Sequence, residues 1–237
     1  MSQIAQKFNK ARLTYDEFSQ PQILAGENLI KQLCSINTQF NQVIDAGCGT
    51  GLTTRRLAKS IQYKSFYAID IAESLLSEAQ KYQENIRYAL LNYDNIDQHY
   101  DLIFSNMSLH WSASILHTLK VFHSALASDG LLAFSVPLQG TFSEIAGGYS
   151  TYQLYSSDQI LNILHTSGYK IVNEEYNIIV NEFPDTLTAL RSIKLTGANH
   201  VTKKKHKSLR GKSFLQQHEC KQLSYFIGYY IVEKENG

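Results

Sequence analysis

The sequence predicts an α/β protein built on one mostly parallel β-sheet with helices on both faces. Strand-like and helix-like segments alternate from Asn41 to about Val180, which is typical of βα units whose crossover helices cover a parallel sheet. A glycine-rich turn over residues 47–51 follows the first strand, and an acidic residue, Asp70, ends the second. Both features are typical of the edge at which such a sheet binds ligands.

The predicted strands are short runs of apolar residues bounded by polar or glycine-containing turns. They cover residues 42–46, 65–70, 86–91, 100–105, 130–136 and 169–179. The helices predicted between them cover residues 52–60, 73–83, 113–127 and 156–167.

Turn and cap residues support these boundaries. Ser157-Asp158 can cap the last of these helices, and Gly168 can end it. Asp129-Gly130 is typical of a turn that leads into the fifth strand.

Two segments lie outside this alternation. Residues 2–35 are predicted to form one or two helices, and residues 183–222 a helical, polar and basic stretch before a final strand over 223–232. Ligands bind beyond the carboxyl ends of the strands in an open α/β sheet. We therefore expect a single domain over residues 1–237, with an N-terminal lid and a substrate cap.

Composition excludes several classes of protein. The 237 residues are 43% hydrophobic and 18% charged, with 22 basic and 21 acidic side chains, which is not the balance of a nucleic-acid binder. Three cysteines without a C-x-x-C pair, and histidines without ligand spacing, argue against a disulfide framework and a metal site. Neither a signal peptide nor a membrane span is apparent, so we expect a soluble cytoplasmic protein.

The glycine turn has a spacing that distinguishes between cofactors. Glycines lack a Cβ, so such a turn can bring backbone N–H groups against a ligand. A nicotinamide-dinucleotide turn places its third glycine at relative position six, where this chain has Leu52, while the third glycine comes one residue earlier, at Gly51. With Asp45 two residues before the first glycine, the turn resembles the first motif of class I S-adenosylmethionine (SAM) methyltransferases.

This resemblance implies a Rossmann-like seven-stranded fold with an antiparallel last strand, and SAM as the cofactor with S-adenosylhomocysteine as its product. Asp70 can accept two hydrogen bonds from ribose hydroxyls. Asn92 and Tyr93 can meet the adenine, or form only an exposed turn, and Asn106 can meet the methionine part. The implied cofactor-binding residues are Asp45, Gly47, Cys48, Gly49, Gly51, Asp70, Ile71, Asn92, Tyr93, Asn106 and Met107.

Aromatic residues and one histidine allow two interpretations each. Phe8 and Tyr15 share a face of a possible N-terminal helix, which either docks on the domain or forms a lid with Tyr15 reaching the cofactor. Trp111 either packs in the core or borders the site. His110 beside it has the chemistry of a general base, although a lone histidine is more often structural.

Two further stretches resemble one family, malonyl-[acyl-carrier protein] O-methyltransferase of biotin synthesis. One is residues 139–145, Gln-Gly-Thr-Phe-Ser-Glu-Ile, and the other is residues 190–194, Leu-Arg-Ser-Ile-Lys, with Gly-Ala-Asn-His at 197–200. The resemblance covers nearly the whole chain. Asn92 departs from it, since relatives often have aspartate there.

The family resemblance implies methylation of the free carboxylate of a malonyl thioester, carried by acyl-carrier protein or coenzyme A. A carboxylate is already ionised at neutral pH, so no acid or base catalyst is required. Arg191 is then expected to position this carboxylate, together with Tyr15 and Trp111. Other small anionic or quinone-like substrates remain an alternative, as does SAM binding without catalysis.

One strong run of positive charge stands out in the C-terminal part of the chain. It is either a solvated loop or a docking surface for the carrier protein, which is typically acidic. Its members are Lys203, Lys204, Lys205, Lys207, Arg210 and Lys212. We call these six residues the basic run.

Overall fold

A seven-stranded sheet forms the centre of the computed structural model, which describes residues 3–12, 14–82, 85–145, 154–195 and 220–235. The predicted α/β fold is confirmed. The strands are β1 (Gln42–Ala46), β2 (Ser65–Asp70), β3 (Arg87–Leu90), β4 (Tyr100–Asn106), β5 (Leu126–Pro137), β6 (Tyr169–Glu182) and β7 (Gln222–Lys234).

Eight helices lie in the described part of the chain. They are α1 (Gln3–Ala11), α2 (Tyr15–Phe18), α3 (Gln20–Ile36), α4 (Leu52–Ser60), α5 (Glu73–Ala79), α6 (Ile115–Ala125), α7 (Ser157–Thr166) and α8 (Thr186–Leu195). Short 3-10 turns at Tyr93–Asn95 and Leu109–Trp111 follow β3 and β4. Three helices thus precede β1, where the sequence predicted one or two.

The strand order indicates a ligand-binding position at the carboxyl ends of the central strands, β1 and β4. The order is β3-β2-β1-β4-β5-β7-β6, with β1 to β5 parallel and β7 antiparallel to both β5 and β6. From β1 the chain adds β2 and β3 on one side, and it then continues from β4 on the other side of β1. Ligands bind beyond the carboxyl ends of the strands at such a switch point. Asp45, Asp70 and Asn106 lie at the carboxyl ends of the strands that meet there.

Apolar side chains cover both faces of the sheet. On one face, Leu29 and Leu33 of α3 and Leu57 of α4 are fully buried against the strands. On the other, Leu119 of α6 and Leu164 of α7 are buried in the same way. These helices fix the strand ends from which the site residues project.

Several predicted boundaries differ from the structure by one to four residues, and three of these differences have a visible structural cause. Asp129-Gly130 does not turn into β5 but lies within it, where pairing with β4 shifts between Tyr100 and Leu102. A Cβ on Gly130 would lie 3.0 Å from the Leu126 side chain, so the glycine permits a close approach in a bulge.

The other two differences concern helix ends. The α7 cap is Ser156, one residue earlier than predicted, and it forms a capping box with Gln159. Helix α5 ends at Ala79, not at residue 83, and the following turn places the Tyr82 ring 3.8 Å from the guanidinium carbon of Arg55. Within the described part of the chain, no helix has the length and apolar character needed to cross a bilayer.

Candidate functional site

The glycine turn is held by hydrogen bonds from its own amides to β2. The N–H groups of Gly47 and Cys48 donate to the Ile69 carbonyl at 2.8 and 3.0 Å, and the Gly49 N–H donates to Asp70 Oδ2 at 2.9 Å. We expected these amides to face a ligand, and the structure corrects that expectation. A turn that binds pyrophosphate needs free N–H groups, so this arrangement favours a ligand without phosphate.

Backbone conformation explains why the turn contains glycine at its first position. Gly47 has a φ of 87°, which side-chain-bearing residues rarely adopt. A Cβ there would lie 2.0 Å from Ser108 Oγ. The turn therefore lies directly against the segment that leaves β4.

Asp70 lines a first cavity that opens beside this turn. Its Oδ1 accepts from the Ala72 N–H at 2.8 Å and its Oδ2 accepts from the Gly49 N–H at 2.9 Å, and the carboxylate keeps acceptor capacity for a ligand. Burial raises the pKa of Asp70, and these backbone hydrogen bonds oppose the shift. The cavity is open to solvent, and the space within it and its mouth is about 530 Å³. It is lined by Ile4, Phe8, Tyr15, Gly47, Gly49, Asp70, Ile71, Leu75, Tyr93, Asn106, Met107, Ser108 and Trp111. We call it the first chamber.

A second chamber also borders Tyr15, and the space within it and its mouth is about 400 Å³. Its walls are Tyr15, Asp16, Ser19, Gln22, Ile23, Asp45, Gly47, Cys48, Thr50, Leu52, Thr53 and Asn106. Tyr15, Gly47 and Asn106 line both chambers. The two spaces therefore adjoin at these three residues, which we call the junction.

Asp45 is the buried carboxyl of the second chamber. It is 2% exposed, and its Oδ2 accepts a 2.6 Å hydrogen bond from Thr54 Oγ1. Burial raises the pKa of Asp45 to about 7, with Asp70 adding repulsion and Thr54 opposing the shift. A cationic ligand group beside it would favour the ionised form.

The end of β4 is fixed by hydrogen bonds on both sides of the Asn106 amide. Asn106 Nδ2 donates to the Gln22 carbonyl at 2.8 Å, and its Oδ1 accepts from Ser135 Oγ at 2.7 Å. Ser135 Oγ also accepts from the Met107 N–H, and Met107 has a φ of 51°. Both ends of the side-chain amide are therefore already hydrogen-bonded, which leaves the backbone and the flank of the side chain to face the chambers.

Helices α1 and α2 cover both chambers through specific contacts. Thr50 Oγ1 donates to Asp16 Oδ1 at 2.7 Å, and Ser74 Oγ donates to Asn9 Oδ1 at 2.7 Å. Tyr15 lies over the glycine turn, since its ring atoms would be 3.8 Å from a Cβ on Gly49. The N-terminal helices are thereby joined to α5 and to the glycine turn.

Phe8 contacts two other aromatic side chains of the first chamber, Tyr15 and Trp111. The rings of Phe8 and Trp111 meet edge to face with centroids 5.2 Å apart, and those of Phe8 and Tyr15 do so at 6.2 Å. We call Phe8, Tyr15 and Trp111 the aromatic cluster. Tyr15 connects it to the junction.

Several predicted site residues lie outside the two chambers. Gly51 caps α4 with a φ of 73°, and Asn92 is exposed, with its Oδ1 accepting from the Asp94 N–H. Arg191 is exposed on α8. Burial lowers the pKa of His110 to about 3, which makes it a poor base, and it lines neither chamber.

Helix α8 nevertheless approaches the site through its C-terminal end. Thr14 Oγ1 donates to the Leu195 carbonyl at 3.1 Å, and Thr14 precedes Tyr15 of the junction. The basic run and residues 197–200 lie outside the described residues.

The sequence did not reveal four residues that shape the site. Gln22 and Ser135 hold Asn106, and Asp16 holds Thr50. Arg55, 8% exposed, donates from Nη1 to the Thr50 carbonyl at 3.0 Å and supports the glycine turn from behind. Such partners are set by tertiary contacts, and only the position of Arg55 one turn into α4 was a local signal.

The chambers fit the cofactor that the motifs imply. Gln22 Oε1 is buried without a hydrogen-bond partner among the described residues, and Gln22 lines the second chamber, where an ammonium group would satisfy it. Asp70 offers acceptors for hydroxyl groups in the first chamber. In the parts of the chain described, no group of three or more His, Cys, Asp or Glu side chains is arranged to hold a metal ion.

Comparisons with known proteins agree with this geometry. A family model described as a methyltransferase domain matches residues 44–132. Malonyl-[acyl-carrier protein] O-methyltransferase 2 of Coxiella burnetii is 33% identical over 237 residues, covering 98% of this chain and 95% of that protein. Malonyl-[acyl-carrier protein] O-methyltransferase of a Marinomonas species is 25% identical over 256 residues, covering 99% and 94%.

Solved structures share the fold at lower identity. The N-methyltransferase NodS from Bradyrhizobium japonicum, in complex with S-adenosylhomocysteine, matches with a TM-score of 0.60 and 13% identity over 99% of this chain and 100% of that one. A 1,6-didemethyltoxoflavin N1-methyltransferase from Burkholderia thailandensis matches with a TM-score of 0.55 and 15% identity over 90% and 79%.

Proposed function

The chain belongs to the malonyl-[acyl-carrier protein] O-methyltransferase family of SAM-dependent methyltransferases, and on that premise we propose that it methylates the free carboxylate of a malonyl thioester. The donor is SAM, and the products are the malonyl methyl ester and S-adenosylhomocysteine. The two relatives named above carry this activity in their names and extend over nearly the whole chain. The methyl ester formed would then prime pimeloyl and biotin synthesis.

The observation that carries the proposal is the pair of chambers that adjoin at Tyr15, Gly47 and Asn106. SAM has an adenosine half and a methionine half joined at one sulfur atom. Asp70, Ile71 and Tyr93 suit the adenosine half in the first chamber. Gln22 and Asp45 suit the methionine half in the second, since both offer acceptors to its ammonium group.

For this reaction the protein has to align the two reactants and exclude water from them. Bound SAM supplies an activated methyl group on a sulfonium. The malonyl carboxylate forms the new oxygen–carbon bond as the carbon–sulfur bond breaks, and no proton moves. Because an anion and a cation neutralise each other, a dry site under the lid favours the reaction. The low pKa of His110 agrees with a reaction that needs no base.

We propose a single domain with two coverings, the lid over residues 2–35 and the cap over 183–222. Arg191 of the cap would position the malonyl carboxylate by a charge-assisted contact and reject uncharged acyl groups. Tyr15 and Trp111 would border the reacting atoms. Arg191 is exposed and lines neither chamber, so this role requires substrate to extend from the junction to α8.

The acyl group is proposed to arrive on an acidic carrier protein, with the six residues of the basic run as the docking surface. Electrostatic attraction would raise the rate of encounter. Malonyl-coenzyme A is the other possible carrier of the same thioester.

The test is methyl transfer from labelled SAM to malonyl-carrier protein, with acetyl-carrier protein as the control. We expect label only on the malonyl substrate, in a base-labile ester. Transfer to malonyl-coenzyme A and not to malonyl-carrier protein would show that coenzyme A carries the malonyl group. Transfer to neither, with SAM still bound, would overturn the malonyl substrate and leave the methyltransferase class in place.

A further inference from the structure

The edge strand β6 is long, and it is paired on one side. It covers 14 residues, and within the described ranges β7 is the strand that pairs with it, so the backbone N–H and C=O groups along its outer side face no strand there. The strand at the other edge of the sheet, β3, has 4 residues. A short edge offers little for another strand to pair with, whereas a long edge is a template for such pairing.

Exposed apolar side chains are concentrated on this edge. Ile178 is 60% exposed, more than any other large apolar residue in the described part of the chain. Tyr176 and Val180, which are 40% and 48% exposed, flank it at alternate positions and therefore share its face of the sheet. Residues 171–182 contain no lysine or proline, the residues that commonly protect an edge from pairing. The edge thus offers an added strand both an outward backbone and an apolar stripe.

The charges of β6 indicate which partner fits. The pairing of β6 with β7 is shifted between Ile171 and Asn173, and from Asn173 to Glu182 it is uninterrupted. This uninterrupted segment has no basic residue, and its acidic residues are Glu174, Glu175 and Glu182. Like charges repel across an interface, so an acidic carrier protein and a nucleic acid both fit this edge poorly. A partner strand has to place uncharged side chains opposite the glutamates.

A second copy of β6 meets that requirement when the two strands run antiparallel about a twofold axis at Asn177. In this register the partner's Ile178 lies opposite Tyr176, and the partner's Val180 lies opposite Glu174. An aromatic residue opposite a β-branched residue stabilises an antiparallel pair. The second copy thereby covers the apolar stripe with its own apolar stripe.

Neighbouring registers are less favourable. An axis one residue later, at Ile178, would place Glu174 opposite the partner's Glu182, and like charges directly opposite each other destabilise a strand pair. An axis one residue earlier would bring the shifted part of the strand into the pair. The central register avoids both costs.

We propose that two copies of this chain associate edge to edge through β6, antiparallel about Asn177, and join their sheets into one. The proposal rests on neither the cofactor nor the malonyl substrate of the proposed function. Since β5 and β7 separate β6 from the strands that carry the two chambers, the association leaves both sites of the pair accessible.

The first test is sedimentation equilibrium of the full chain, with Ile178→Glu as the variant and Leu90→Glu as its matched control. Leu90 is 56% exposed on β3, at the other edge of the sheet, so its replacement adds the same charge away from the proposed contact. We expect a wild-type dimer whose dissociation constant rises roughly tenfold or more in Ile178→Glu, because a carboxylate would face the apolar stripe and the partner's glutamates. Leu90→Glu should dimerise like the wild type. If Ile178→Glu does not fold, Val180→Glu decides by the same measurement.

The second test determines the register by mild oxidation of single-cysteine replacements. Residues directly opposite each other on antiparallel strands have Cα atoms about 4.5–5.5 Å apart, which is within reach of a disulfide. The axis places Glu182 about 30 Å from its own copy. Asn177→Cys should therefore crosslink two chains roughly tenfold faster than Glu182→Cys, with the wild type reporting the background from its own cysteines.

A wild type that stays monomeric at every concentration would overturn the proposal, since β6 would then be covered by another part of the chain or by a different protein. Equal dissociation constants for Ile178→Glu and the wild type would also overturn it, as would faster crosslinking of Glu182→Cys than of Asn177→Cys. Methyl transfer by a monomer would leave the proposed function standing without this association. A dimer that transfers no methyl group would leave the association standing without the proposed function.

Discussion

At the residue scale, Asp45 links the pH of the solution to the stability of the fold. Its ordinary pKa is 3.8, and burial raises this to about 7 in the folded protein. The folded protein therefore holds a proton over this range that the unfolded chain releases. The stability contributed by the protonated carboxyl is complete below about pH 4 and is lost as the pH rises through 7.

We predict that Asp45→Asn becomes more stable relative to wild type as the pH rises from 5 to 8. Asparagine cannot ionise, so the variant avoids the cost of a buried charge, which grows by up to about 1.4 kcal/mol per pH unit. Urea unfolding of the cofactor-free proteins measures the difference. His110 has a lowered pKa and the opposite pH dependence, but it is present in both proteins and cancels. Parallel profiles for the two proteins would contradict the prediction.

The second residue-scale prediction concerns substrate recognition by Arg191. Losing a charge-assisted contact costs about 1.5–3 kcal/mol, so Arg191→Ala should lower kcat/KM for malonyl-carrier protein roughly 10- to 100-fold. The Kd for SAM should change less than about twofold, because Arg191 lines neither chamber. Steady-state kinetics and calorimetry give the two values.

Arg87→Ala is the matched control for that experiment. Arg87 is an exposed arginine at the amino end of β3, away from the binding edge of the sheet. Unchanged kinetics in Arg191→Ala would remove Arg191 from substrate positioning.

At the scale of elements, the N-terminal helices reach the glycine turn through one polar contact. The Thr50 hydroxyl donates to Asp16 of α2, while Arg55 of α4 holds the Thr50 carbonyl from the other side. The same turn thus connects the proposed lid to the first crossover helix. Ligand binding beneath α2 is expected to depend on this contact.

We predict that Thr50→Val loosens the lid without unfolding the sheet. Valine keeps the shape of threonine and removes a hydrogen bond worth about 1 kcal/mol, so SAM should bind roughly fivefold more weakly. Hydrogen exchange should become faster over residues 3–18 and stay the same in β1 and β4. Thr166→Val on α7 provides the control, since among the described residues that hydroxyl bonds within its own helix, to the Asn162 carbonyl. Wild-type exchange in the Thr50 variant would show that the contact does not hold the lid.

At the scale of the whole molecule, positive and negative charges are nearly balanced but unevenly placed. The chain carries 22 basic and 21 acidic side chains, yet six of the basic ones fall in the basic run. The attraction between this chain and an acidic carrier protein would therefore depend on the local positive charge of the basic run and not on the net charge of the chain.

We predict that activity on malonyl-carrier protein falls as salt rises, because screening weakens attraction between exposed charges. Reversing Lys203, Lys204 and Lys205 to glutamate should raise KM several-fold, with little change in kcat. Activity on malonyl-coenzyme A, where it occurs, serves as the control for effects on the enzyme itself. Indifference of KM to both changes would make the run a solvated loop.

Local patterns predicted most of the fold because they report burial directly. The bounds of β1, β2 and α4 agree with prediction, since each is a short apolar or amphipathic run between clear turn residues. The predicted start of β5 is too late because Asp129-Gly130 is typical of a turn. In the structure Gly130 lies inside the strand, where the absence of a Cβ allows the Leu126 side chain to approach its backbone. A glycine alone does not tell these two uses apart.

The sequence by itself determined the α/β class, the glycine turn, the acidic strand ends and the family. These depend on spacing along the chain, which a single sequence contains in full. Tertiary structure decided that the turn amides bond to β2, that Gln22 and Ser135 hold Asn106, and that Phe8 contacts both Tyr15 and Trp111. These contacts join different elements of the fold. Pairing of β1 with β2 and of β4 with β5 brings the turn amides to Ile69 and Ser135 to Asn106, whereas packing of the N-terminal helices brings Gln22 to Asn106 and Phe8 to Trp111.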